Sequence, residues 1–106
     1  MFITSLAFDV RPEKRTEFVS AVADILDALR SSRGCLGCRL ASDWENENFF
    51  LLTAEWDSRE YLERYLASSE FRVLEGTRIL LRDGPAVSVD EVVSRRRAPR
   101  PANLRR

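Results

Sequence analysis

Cys35-Leu36-Gly37-Cys38 is the pattern in this chain that most directly suggests chemistry. A C-x-x-C pair can exchange thiols for a disulfide or supply half of a zinc site. The redox use needs the pair at a helix N-terminus, and zinc needs two further ligands, which a dimer could supply only if both pairs met. This segment reads instead as a strand, where residues three apart point to opposite faces. The two sulfurs are therefore expected to diverge and to behave as ordinary buried thiols. The chain contains no histidine, so the commonest general base at neutral pH and the commonest metal ligand are both missing. No metal site is expected. Arg39, on the same otherwise apolar strand, could pair with a phenolate or carboxylate in a pocket. A salt bridge or solvent exposure is its structural alternative.

The elements that must position these groups follow from periodicity and turn residues. Residues Phe2 to Phe8 are β-branched, aromatic or small with partial alternation, and predict a strand. Pro12 suits the first turn of a helix, with Glu13 and Glu17 near the positive end of its dipole. Phe18, Ala21, Val22, Ile25, Leu26 and Leu29 recur at spacings of three and four, against Arg15, Asp24, Asp27 and Arg30 opposite, which predicts an amphipathic helix of about five turns. Gly34 can take the left-handed conformation that ends it. Cys35 to Trp44 and Phe49 to Trp56 then predict an antiparallel hairpin around the polar turn Glu45 to Asn48. Ser58 is an N-cap for a helix through about Ala67. Ser68 or Ser69 can cap a further short helical segment carrying Phe71, Leu74, Ile79 and Leu80. Asp83-Gly84-Pro85 breaks it, and Ala86 to Val93 alternates as a last strand.

This β-α-β-β-α-(α)-β order defines an α+β protein with helices on one face of its sheet. Phe49 and Leu51 alternate with Phe50 and Leu52, so both faces of the third strand are apolar and the face away from the helices needs cover. Pairing of two sheets into a homodimer is the simplest cover. At 106 residues the chain makes one domain, with 44% hydrophobic and 32% charged residues in the ordinary range for globular proteins. All 17 acidic residues lie at or before Glu91, and six of the 17 basic ones lie from Arg95 onward, so the body carries −6 and the tail +6. Residues 1–93 are expected to form the domain. Residues 94–106, with two prolines and one large aliphatic residue, are expected to be a flexible basic tail. The acidic body opposes nucleic-acid binding, and no basic-aromatic alternation accompanies the tail. No apolar run reaches membrane-spanning length, and the N-terminus lacks a basic n-region and a small-residue cleavage site, so a cytoplasmic location is expected.

Five segments together resemble the antibiotic-biosynthesis-monooxygenase family: Arg11-Pro12-Glu13-Lys14-Arg15, Gly34-Cys35-Leu36-Gly37, Glu55-Trp56-Asp57-Ser58, Leu62-Glu63-Arg64-Tyr65-Leu66-Ala67-Ser68, and Phe71 with a proline before the last strand. Their order and spacing run through about residues 2 to 93. The resemblance implies a ferredoxin-like fold, two sheets meeting in a dimeric α/β barrel, and a pocket between sheet and helices. The family includes cofactor-independent oxygenases of quinol-like polyketides and a branch that binds and degrades haem. The resemblance also implies where the site lies. Trp56 corresponds to a pocket-lining tryptophan, with a core tryptophan as its structural alternative. Tyr65 stands where the family often has a helical histidine; its phenol can donate to a developing oxyanion but is a poor base at neutral pH. Tyr61 and Phe71 are the further ligand-binding residues, and Tyr65 with Arg39 would stabilise phenolate charge. The haem branch's ligand and asparagine positions are Glu75 and Ser5 here, so no cofactor is expected. A cofactor-independent monooxygenase acting with O2 on a small aromatic molecule, and a non-catalytic dimeric binding protein, are the two functions to separate.

Overall fold

Alternation decides the first strand. In the computed structural model, which describes residues 1–93, β1 (Phe2–Asp9) buries Phe2, Thr4, Leu6 and Phe8 and leaves the residues between them half-buried. β3 (Phe49–Trp56) pairs antiparallel along its whole length, with Phe8 opposite Phe50 and Phe2 opposite Trp56. β2 (Cys35–Ser42) lies outside β3 and β4 (Ala86–Glu91) outside β1, giving the order β2-β3-β1-β4 with every neighbouring pair antiparallel. With three helices on one face this is a ferredoxin-like α+β fold. The tail expected to be flexible, 94–106, lies outside the described residues.

The helices are set by the residues that cap and bury them. Pro12–Lys14 form a single 3-10 turn, and α1 (Arg15–Arg30) follows, so the expected five turns divide into two kinds of helix. Phe18, Val22, Ile25 and Leu29 face the sheet. The Phe18 ring lies 5.0 Å from both Phe8 and Phe50, clamping α1 over the two central strands. Each such buried ring contributes about 1.5–3 kcal/mol of apolar burial. α2 (Arg59–Leu66) starts where the Ser58 hydroxyl accepts from the Tyr61 N–H at 3.5 Å. α3 (Ser69–Gly76) starts where the Ser68 hydroxyl accepts from the Phe71 N–H at 3.2 Å. Both caps satisfy amide groups that a helix start leaves unpaired.

After α3, a 3-10 turn over Thr77–Leu80, with its period of three, turns Thr77 and Leu80 inward and leaves Ile79 77% exposed. Two expectations are corrected. β2 stops at Ser42, short of Trp44, which is 82% exposed in the hairpin connection. Most consequential, the two cysteines do not diverge. Cys35 stands opposite Trp56, Gly37 opposite Glu55 and Cys38 opposite Ala54, so Leu36 is the extra residue of a β-bulge. That residue shifts the strand's alternation by one. Cys35 and Cys38 both pack against the core on the helix side, and Leu36 is exposed instead.

Among the described residues, nothing covers the sheet's other face. Phe49 and Leu51, 36% and 40% exposed, sit there beside Ile3, Ala7 and Thr53.

Candidate functional site

Three elements meet around a cavity of about 180 Å³: the end of β3, the C-terminal end of α1 and the first helix after Ser58. Trp56 reaches it because β1 and β3 share full register, which brings the last residue of β3 beside Phe2 on the helix face. Its indole Nε1–H donates to the Thr4 hydroxyl at 3.2 Å, and Thr4 donates to the Ala54 carbonyl at 3.5 Å. Trp56 is thus a satisfied core residue and a cavity wall at once.

Tyr65 and Tyr61 reach the cavity from successive turns of α2, four residues apart on one face. The Tyr65 ring stacks on Trp56, with centroids 4.8 Å apart and planes at 23°. Phe71 meets Tyr65 edge-on at 5.3 Å and 77°, backing the wall from α3 without lining it. Gly34 completes this side. Its φ of +83° is in the left-handed region, and a Cβ there would collide with the Tyr61 ring, so a side chain is excluded twice over.

Tyr65 is 4% exposed, and its hydroxyl is the buried side-chain polar atom that lacks a hydrogen-bond partner among the described residues. Leaving such a group unpaired costs about 1–3 kcal/mol. Burial drives its pKa well above the ordinary tyrosine value of 10, and the nearby Cys38 and Cys35 thiols add to the rise. Burial likewise pushes the Cys38 thiol up to about 11, with a further contribution from Cys35. Cys35 is raised too, chiefly by burial, although its Sγ donates to the Gly37 carbonyl at 3.4 Å. All three groups hold their protons at neutral pH. They can donate hydrogen bonds there, but they are not bases or thiolate nucleophiles.

Arg39 does not join them. It lines a second cavity of about 400 Å³ on the opposite face of the sheet, with Ile3, Thr53 and Glu55. Its partner across the ladder is Thr53, a residue of that open face. Within one chain, Arg39 and Tyr65 cannot act on the same ligand. The first cavity instead has Arg33, Arg64 and Glu70 on its rim, along with Ser32 and Ser68. Sequence reasoning passed over all five, because charged and hydroxyl residues at helix ends look like a solvated surface. The one signal was Arg64 three residues after Tyr61, which places its guanidinium 5.6 Å above that ring.

The residues at the haem branch's positions do not fit a haem. Ser5 lies on the open face, away from Trp56, and Glu75 is exposed on α3. Among the described residues, no group of three or more His, Cys, Asp or Glu is placed to hold a metal ion. No helix among them is long and apolar enough to cross a membrane.

Fold and cavity together define a ferredoxin-like α+β protein with an aromatic-walled cavity between sheet and helices. The family model for antibiotic biosynthesis monooxygenases matches residues 1–75, and the chain belongs to that family. Solved structures share the fold. A candidate antibiotic biosynthesis monooxygenase from Deinococcus radiodurans is 20% identical, with a TM-score of 0.84 over 93% of this chain and 99% of its own. A conserved protein from Methanosarcina mazei is 18% identical, with a TM-score of 0.79 over 84% and 89%. A variant of SnoaB, a cofactor-independent oxygenase from Streptomyces nogalater, is 17% identical, with a TM-score of 0.75 over 89% and 94%. No curated protein sequence matches the chain.

Proposed function

We propose that this protein is a cofactor-independent monooxygenase that oxidises a quinol-like aromatic with O2 in the Trp56–Tyr65 cavity. The observation that carries this reading is the Tyr65 side chain: its ring lines an aromatic-walled cavity, and its buried hydroxyl has no hydrogen-bond partner among the described residues. A proton donor kept without a partner at about 1–3 kcal/mol is suited to an acceptor that arrives with the substrate. Its raised pKa keeps it protonated, so it donates to a phenolate oxygen rather than repelling it. The likeness to a cofactor-independent oxygenase supports the reaction class.

An electron-rich ring can supply the electrons itself. Oxidation of a hydroquinone ring to a hydroxyquinone releases four electrons, which reduce O2 to the new ring oxygen and one water. Cavity size sets the scale of the substrate. Roughly 150 Å³ admits benzene, so about 180 Å³ admits a single ring. The protein acts as a homodimer in this reading, with the open-face strip of Phe49 and Leu51 covered by a partner sheet. Oxygen uptake with a panel of single-ring hydroquinones, followed by mass analysis of isotope-labelled oxygen in the product, tests the proposal. Uptake no faster than in buffer with every compound would reject it.

One observation favours a second reading, a dimeric small-molecule-binding protein without turnover. Tyr65, Cys35 and Cys38 are all shifted toward holding their protons, so the buried part of the site offers no strong proton acceptor. A tight aromatic ligand recovered unchanged in air would identify that function.

A further inference from the structure

The rim of the cavity carries charge that its aromatic walls do not account for. Arg33 follows the end of α1, and Arg64 lies in the last turn of α2. Among the described residues neither guanidinium makes an ion pair, whereas Arg30 pairs with Asp27 and Lys14 with Glu17. Arg64 is held against the wall by its stacking over Tyr61. The serines between them carry no charge, and their protons are engaged: Ser32 donates to the Ala28 carbonyl at 3.0 Å and Ser68 to the Tyr65 carbonyl at 2.6 Å. Glu70, the carboxylate on the same rim, accepts from the Ser69 hydroxyl at 3.3 Å. Two cations against one anion leave the rim positive on a body whose overall charge is −6. A positive mouth on an acidic body concentrates anions at that point.

Depth and rim together specify a ligand with two ends. We infer that the cavity takes a single-ring phenol or hydroquinone bearing a carboxylate, with the ring on Trp56 and Tyr65 and the carboxylate held by Arg33 and Arg64. Guanidinium groups match a carboxylate through paired N–H donors, and a hydrogen bond to a charged group exceeds a neutral one. The inference deepens the oxygenase reading by naming its substrate class, but the recognition it describes is a binding property and holds without turnover.

The test compares hydroquinone with 2,5-dihydroxybenzoate, using the full chain. Calorimetric titration without oxygen gives each affinity, and oxygen uptake in air gives turnover. The carboxylated compound is expected to bind about tenfold tighter or better. Raising the potassium chloride concentration should erode that preference, since the charges sit at an exposed mouth. In Arg33→Gln/Arg64→Gln the preference should fall toward one, and each single change should remove part of it. Circular dichroism melting of each variant separates loss of recognition from loss of folding. Equal affinities in the unmodified protein, no binding of either compound, or a preference that survives the double change each overturn the inference. Hydroquinone turnover without preference for the acid leaves the oxygenase reading standing and removes this one. Tight, salt-sensitive binding of the acid with no oxygen uptake does the reverse.

Discussion

Replacing Tyr65 by Phe should stabilise the protein and impair it at the same time. The Tyr65 ring is held by packing that does not involve the oxygen: the stack on Trp56 at 4.8 Å and the edge contact with Phe71 at 5.3 Å. The hydroxyl is buried without a hydrogen-bond partner among the described residues. Removing it relieves a desolvation penalty of about 1–3 kcal/mol while leaving every ring contact in place. A gain of about 1 kcal/mol raises the melting temperature of a domain this size by about 4 °C or more. Oxygenation should fall by about 100-fold, the usual loss when one preorganised oxyanion donor is removed. Melting followed by circular dichroism at matched protein concentration, beside oxygen uptake with the best hydroquinone, reads both effects. A melting temperature several degrees lower would mean that the hydroxyl is satisfied in solution. Unchanged turnover would mean that it does not touch the reacting oxygen. Either result refutes the reasoning. A stability gain with lost function is the signature of a group kept at a structural penalty for its chemistry.

The other predictions use different parts of the structure. Gly34→Ala places a methyl group against the Tyr61 ring and strains a backbone at φ +83°, so it should destabilise the fold by more than about 1 kcal/mol and weaken ligand binding; an unaltered urea midpoint would contradict it. Cys38, pushed up to about 11, should alkylate at a rate that climbs about tenfold per pH unit from neutral toward that value, followed by mass spectrometry; a plateau near pH 9 would show an ordinary thiol. Between 9, where an unfolded thiol ionises, and about 11, the unfolded chain releases a proton that the native state keeps, so stability should fall with rising pH. Leu51→Glu puts a charge in the open-face strip and should shift a dimer toward the 12.2 kDa monomer in sedimentation; a monomeric mass for the unmodified protein at micromolar concentration would sink the dimer.

Much of the fold could be read from short-range regularities alone. Phe18, Val22, Ile25 and Leu29 mark the buried face of α1, and Ser58 and Ser68 mark two helix starts, because spacing and capping act within a turn or two of the chain. Trp56 and Tyr65 were expected near one another through their place in a recognised pattern, and the fold does stack their rings. Arg39 looked equivalent to them, yet strand parity sends it through the sheet to the other face. The cysteines erred in the opposite sense, since the bulge at Leu36 is defined only by pairing with β3 and by itself leaves no periodic trace. Arg33 and Arg64 lie 31 positions apart and read as ordinary surface charges. Sequence by itself determined the order of elements, the inward face of α1 and the lack of histidine, because each is local or compositional. Which side chains share a cavity, and which charges stand at its mouth, was decided only when strand register and helix docking brought distant residues together.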